Sequence, residues 1–263
     1  MIDEASLMEF SHYFPDNRQL EKDYLLNFML KIISINKISN YLDFKGGTSL
    51  YMFNGLDRFS EDLDFTYLKT DKIVNKNIDM LIDPVIKDFQ LSYKINKNKG
   101  NIITKNNKGN ISGIRTEIVV EGPLFQKTGT RQRIKIDIST RNDILFKPEN
   151  AKMESKYNDI GMIILYKMPL NEILAEKFCA IIERSRARDL YYIYFLLKNK
   201  NIEFNKKIFM EKLEKREEYF SNEILIKNIY NITENAWKEE LGYIIKDLPG
   251  LNDVITFIID KIQ

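Results

Sequence analysis

The chain has 263 residues, 44% of them apolar, which is enough to bury a substantial core in one large domain or two modest ones. Lys and Arg number 40 against 38 Asp and Glu, so the net charge of +2 supplies no global argument for a nucleic-acid or membrane partner. One cysteine, Cys179, excludes an intramolecular disulfide framework, and one histidine, His12, leaves little material for a zinc site or a histidine-based triad.

The first residues, MIDEASLMEF, carry acids where a secretory signal carries positive charge. No apolar run approaches the roughly 20 residues needed to span a bilayer. A cytoplasmic protein without a membrane partner is expected. From Asn17 to about Asn36, Leu20, Tyr24, Phe28 and Ile32 recur at helical spacing and lay one apolar stripe on a helix. A short helix is predicted from Gly47 through Tyr51 and Phe53 to the stop at Asn54-Gly55.

Strand signals follow. DLDFTYL alternates, FQLSYKI at 89–95 alternates, TEIVVE at 116–121 is β-rich, and RIKIDIS from Arg133 alternates strictly. GPLFQKTGT suits a reversal, so the last two are predicted to pair antiparallel. INKNKGNIITKNNKGN is polar, lysine-rich and punctuated by glycine, and reads as a solvated loop or a contact for a phosphate backbone. After FKPEN the strong signals are helical: NEILAEKFCAIIERS, RDLYYIYFLLKN, KKIFMEKLEKREEYF and a terminal NDVITFIIDKIQ behind Pro249-Gly250. The division is an α/β domain over 1–160 and a helical domain over 161–263.

The stretch that carries chemistry is FKGGTSLYMFNGLDRFSEDLDF, residues 44–65. In a strand, Asp62 and Asp64 share a face while Leu63 and Phe65 turn to the core. The pair reads either as incidental acids on a solvent-facing edge or as ligands for a divalent ion, since Mg²⁺ takes carboxylate oxygens and keeps positions open for phosphate. Upstream, Gly46 and Gly47 let a phosphate approach backbone amides at a helix N-terminus, and Thr48 and Ser49 can add hydroxyl donors. A phosphate cradle feeding a carboxylate pair is a coherent device.

KGGTSLYMFNGLDRFSEDLDF closely resembles the signature of the AbiEii/AbiGii toxin family of the nucleotidyltransferase superfamily: a Gly-Gly or Gly-Ser turn, the Arg-x-Ser segment of Arg58 and Ser60, and Asp-x-Asp, with 14 residues between Gly47 and Asp62. The resemblance implies an α+β fold, in which a nucleotidyltransferase-type domain with a mixed β-sheet precedes a helical domain that completes the active-site cleft. It also implies a third carboxylate on a neighbouring strand. RIKIDIST supplies Asp137, on the face opposite Ile134, Ile136 and Ile138. Asp137 can complete the metal site and accept a proton from an attacking hydroxyl, or be an exposed acid on an amphipathic strand. Lys135 on that face offsets carboxylate charge or meets a phosphate.

EILAEKFCAIIERSRARDLYYIYFLL resembles the family's second block. Lys177 falls among apolar positions of its helix and must snorkel or find an anion. By the resemblance Lys177 is a triphosphate ligand and Asp189 an active-site acid; Asp189 alone also reads as a first-turn acid favoured by the helix dipole. Where the family commonly has a second acid, Arg-Asp-x-x-Asp, this chain has Tyr192. Cys179 and the tyrosines of LYYIYF read as packing, and His12 receives no role.

The implied activity is that of a metal-dependent nucleotidyltransferase toxin of a toxin–antitoxin or phage-defence system. Mg²⁺ or Mn²⁺ would be held by Asp62, Asp64 and Asp137, a nucleoside triphosphate would be the donor, and tRNA is the leading acceptor, with a cognate antitoxin as a further partner. The alternatives are a transferase acting on a protein or small molecule, and an inactive RNA- or nucleotide-binding regulator of the same fold.

Overall fold

The computed structural model describes residues 2–68, 74–105, 109, 111–216 and 222–262. The chain forms two compact units: Met1–Phe53 with Ser60–Arg141 and Asn150–Lys167, and Asn54–Phe59 with Asn142–Glu149 and Met168–Gln263. The first unit runs past residue 160, where the sequence suggested a division, because a strand at Met162–Lys167 pairs with the strand at Leu42–Lys45. Among the described residues no helix is long and apolar enough to cross a membrane.

In chain order the first unit carries α1 (Glu4–Met8), α2 (Asn17–Ile35), β1 (Leu42–Lys45), α3 (Gly46–Asn54), β2 (Leu63–Tyr67), α4 (Val74–Gln90), β3 (Ile95–Lys105), β4 (Ile111–Val120), α5 (Phe125–Thr128), β5 (Gln132–Ser139), β6 (Glu149–Glu154) and β7 (Met162–Lys167). The strands form one sheet in the order β3-β4-β5-β2-β1-β7-β6. It is mixed, as the resemblance implied: β2 runs parallel to β5 and β1 to β7, while β1–β2, β3–β4 and β4–β5 are antiparallel. One face carries an apolar row, Phe44, Phe65, Ile138 and Ile114, which are successive register partners and all buried.

α2 starts at Asp16, whose carboxylate accepts from the Gln19 N–H at 2.7 Å. The helix packs on β5 and β7. Its buried Asp23 accepts from the Tyr51 and Tyr157 hydroxyls at 2.9 and 2.8 Å and lies 3.1 Å from the Lys156 ammonium.

Two expectations fail here. FQLSYKI is not a strand: α4 runs through Phe89 and Gln90, burying Ile78, Ile82, Val85, Ile86 and Phe89 at helical spacing, and Leu91 is left 84% exposed. The alternation of Phe89, Leu91, Tyr93 and Ile95 imitated a strand across a helix end. INKNKGNIITK is no loop either but the edge strand β3, whose solvated rim explains its polarity; residues 106–108 and 110 lie outside the described residues. The antiparallel pairing around GPLFQKTGT forms as expected, with α5 inside the reversal.

The second unit is helical: α6 (Leu170–Arg184), α7 (Ala187–Lys198), α8 (Lys206–Lys215), α9 (Asn222–Tyr230), α10 (Glu234–Leu241) and α11 (Leu251–Ile262). The expected third helix was to extend over 217–220, which lie outside the described residues. Cys179 is buried, as read. At the centre of this unit Lys212, fully buried, bonds Glu172 at 2.7 Å and the Asp143 carbonyl at 2.6 Å, with Glu176 at 3.3 Å. Arg216 reaches Asp143 at 2.9 Å and Glu176 at 3.0 Å. Glu172 also accepts from the Leu145 and Phe146 N–H groups, tying the 142–149 segment to α6.

Candidate active site

The glycine turn and the aspartates meet through one close approach. Gly46 has φ +76°, and a Cβ built there would lie 2.5 Å from Asp64 Oδ2. Glycine is needed twice over: for a left-handed backbone, and because the Asp64 carboxylate rests where any side chain would stand. Thr48 and Ser49, expected to offer hydroxyls to a phosphate, are both fully buried. The Thr48 hydroxyl sits 2.8 Å from Ser60 Oγ and bonds the Asp62 carbonyl, fixing the chain's entry into β2. Ser49 Oγ has no hydrogen-bond partner among the described residues.

Asp64 is the register partner of Asp137 across the parallel β2–β5 pair. Neighbouring strands lie about 4.8 Å apart, so the two side chains leave the same face side by side. The row extends on both sides: Lys45 of β1 is the partner of Asp64, and Arg115 of β4 the partner of Asp137. A cation, two acids and a second cation thus cross four strands at one level. Like charges directly opposed destabilise a sheet. Here Arg115 grips Asp137 with two hydrogen bonds, Nε–Oδ1 at 2.7 Å and Nη2–Oδ2 at 3.1 Å. Those bonds, with the further fields of Asp62 and Asp64, raise the Arg115 pKa above its usual value. Asp62 stands in a bend one residue before β2, its Oδ1 3.6 Å from Lys135 Nζ, so Lys135 offsets carboxylate charge. The three sequence-predicted acids therefore belong to one charged patch.

Lys45, Arg115 and Lys22 were not anticipated. Arg115 precedes the TEIVVE run by one residue and keeps its alternation with Glu117, a signal that extending the strand would have revealed. Lys22 lies inside the charged triplet Glu21-Lys22-Asp23 of α2, all three buried, and nothing local distinguishes it from a solvated face. Its ammonium bonds the Arg133 carbonyl. Burial pushes its pKa down to about 8, against the opposing pull of Glu61 and Asp62.

In the second unit Lys177 and Asp189 are together. Lys177 Nζ is 3.5 Å from Asp189 Oδ1, and Arg184 makes a two-point contact with the same carboxylate at 2.7 and 3.0 Å. Burial alone would raise the Asp189 carboxyl, but Lys177 and Arg184 outweigh it and hold its pKa below the ordinary 3.8. Lys177 therefore found its anion rather than snorkelling.

The donor set suits a hard divalent cation in chemistry: carboxylate oxygens on one sheet face, with Asp64 resting on a glycine that puts no side chain over it. Among the described residues, no three His, Cys, Asp or Glu side chains form a ready-made metal centre. Asp137 and Asp62 each pair with a cation of their own, Arg115 and Lys135.

A family model described as the nucleotidyl transferase AbiEii toxin of type IV toxin–antitoxin systems matches residues 28–254. No curated protein matches in sequence. Among solved structures, the chain resembles MenT4, the nucleotidyltransferase toxin Rv2826c of Mycobacterium tuberculosis H37Rv, with TM-score 0.65 and 15% identity over 99% of this chain and 90% of that one. It also resembles JHP933 from Helicobacter pylori, with TM-score 0.59 and 20% identity over 92% of this chain and 89% of that one. At these identities the structural likeness is one of fold.

Proposed function

The chain belongs to the AbiEii nucleotidyltransferase toxin family, and from that premise we propose that it moves a nucleotide from a nucleoside triphosphate to a hydroxyl of tRNA, with Mg²⁺ or Mn²⁺ as cofactor. The observation that carries this reading is the facing of Asp64 and Asp137 in adjacent strands beside the Gly46 turn. Held by Asp62, Asp64 and Asp137, the ion would supply Lewis-acid stabilisation of charge on the attacking and leaving oxygens.

The chain's own residues do the remaining work. Asp137 takes the proton of the acceptor hydroxyl as its oxygen bonds the α-phosphorus, and the bond to the β-phosphate oxygen breaks, releasing pyrophosphate with the electron pair. Backbone N–H groups at the start of α3, from Gly46 and Gly47 onward, donate to the phosphates, because the Thr48 hydroxyl is taken by the Asp62 carbonyl and the Ser49 hydroxyl is fully buried. Lys177, braced by Asp189, contributes a cation to the triphosphate by family resemblance. Exposed Lys97 and Lys105 on β3 suit a phosphodiester backbone, which supports RNA as the acceptor class. Addition to tRNA would arrest the host cell, a cognate antitoxin would counter it, and phage defence is a setting that suits such arrest.

The test is incubation with Mg²⁺, each labelled nucleoside triphosphate in turn, total RNA and cell extract. Label entering tRNA supports the proposal; label entering protein or a small molecule replaces the acceptor; nucleotide binding without any transfer removes the reaction.

A further inference from the structure

Tyr192 stands where the family pattern would put a second acid, and the structure gives it two cations. On α7 it lies three residues after Asp189, on the same side of the helix. Lys177 Nζ is 4.5 Å from the centroid of its ring, and the Arg58 guanidinium carbon is 5.4 Å from the same centroid. Arg58 Nη1 also donates to the Tyr192 hydroxyl. Tyr192 is only 4% exposed, so both contacts form away from bulk water, where a ring quadrupole holds a cation best.

The electrostatic consequence differs from that of a carboxylate. An aspartate at 192 would fix Lys177 and Arg58 by cancelling charge. A neutral ring fixes them and cancels none. Lys177 and Arg184 share the Asp189 carboxylate, Lys177 and Arg58 rest on the Tyr192 ring, and Arg58 Nε is buried with no acceptor among the described residues. The neighbouring Asp57 is bonded elsewhere, to the Tyr191 hydroxyl at 2.7 Å. A guanidinium whose buried Nε lacks an acceptor, set beside a second cation on the same ring, suits an anion with several oxygens.

We propose that Tyr192 is a positioning residue that presents Lys177 and Arg58 together as a receptor for a polyphosphate tail, with Arg58 as a direct ligand. That the tail belongs to a nucleotide rests on the nucleotidyltransferase reading; that the receptor takes polyphosphate does not.

The experiment titrates the full chain with inorganic tripolyphosphate by calorimetry, comparing wild type with Tyr192→Phe, Tyr192→Leu and Arg58→Gln, each first checked by thermal melting. The Phe variant keeps the ring and its packing, so it folds even if the Leu variant does not. Tripolyphosphate affinity is expected to fall about threefold in Tyr192→Phe and about tenfold in Tyr192→Leu and Arg58→Gln. In nucleotide transfer the loss falls on KM for the triphosphate. Failure of wild type to bind tripolyphosphate overturns the receptor, as does binding by all three variants within about twofold of wild type. A fall in kcat at unchanged KM overturns it too, because a merely structural residue would do that. Tyr192-dependent binding in a protein that transfers no nucleotide sinks the enzymatic reading and leaves the receptor; transfer that ignores Tyr192 does the reverse.

Discussion

Asp64 and Asp137 are direct register partners in parallel strands, and the cation opposite Asp137, Arg115, holds it by both carboxylate oxygens. Two acids so placed would repel, and Arg115 offsets the charge of Asp137 while using both of its oxygens, the same oxygens that a divalent ion held as proposed would need.

Replacing Arg115 by Gln should therefore tighten Mn²⁺ binding severalfold, read by the loss of free-ion signal in electron paramagnetic resonance. Its side chain is 43% exposed, so the ion pair itself should contribute less than about 1 kcal/mol to stability. Weaker Mn²⁺ binding in this variant would mean that Arg115 orients Asp137 rather than competing for it. Asp64→Asn and Asp137→Asn should each lower transfer by about a hundredfold or more while the melting temperature holds or rises, since each removes one member of a like-charged pair.

Gly46→Ala meets two penalties, a left-handed φ and a collision with the Asp64 carboxylate. A loss of about 2 to 4 kcal/mol is expected in urea unfolding, together with loss of transfer. Gly55→Ala is the control. Gly55 has a similar φ, +69°, but nothing within 4 Å of the added carbon, so it should lose only about 1 kcal/mol.

Lys22 predicts a pH dependence of definite sign. Its folded pKa of about 8 lies below the unfolded 10.5. Below pH 8 both states carry the proton and the buried charge costs about 3 kcal/mol; between pH 8 and 10.5 the folded state releases it first, so this group's contribution to stability rises with pH. Lys22→Met should be more stable than wild type at pH 7 by about 2 kcal/mol, after the loss of the bond to the Arg133 carbonyl. The difference between the two proteins should close as pH rises through that window. A constant difference from pH 7 to 10 would show that the lysine is not the titrating group.

Lys212→Met removes the buried cation shared by Glu172, Glu176 and Asp143 and leaves those carboxylates short of a partner. A loss of about 3 to 5 kcal/mol in chemical unfolding is expected. Burial alone would lower the Lys212 pKa, but the carboxylates outweigh it and raise it above 10.5, so its stabilisation is complete below the unfolded 10.5 and is lost as pH rises from there through the raised value. A wild-type-like unfolding midpoint in this variant would show that the cluster contributes nothing net.

What could be read from residues alone was what depends on near neighbours in the chain. The 44–65 segment carried its glycine turn, its Asp-x-Asp and its family likeness within 22 consecutive residues, and the strict alternation of RIKIDIS put Asp137 on the polar face. In the second half α6, α7, α8 and α11 announced themselves by apolar spacing, while α9 and α10 were not anticipated. Local pattern misled at α4, where a helix end imitated alternation, and at β7, where MIILYK is apolar on both faces and shows no period at all.

Pairing across the sheet belonged to tertiary structure, because register joins residues that no local period connects. That Asp64 faces Asp137, that Lys45 and Arg115 close the row, and that Lys22 is buried near Asp62 follow from strand order and from α2 packing on β5. Charge in a sequence has no address until a fold brings the opposite sign beside it. Tyr192 makes the same point: in the sequence a departure from a pattern, in the folded chain a ring between two cations.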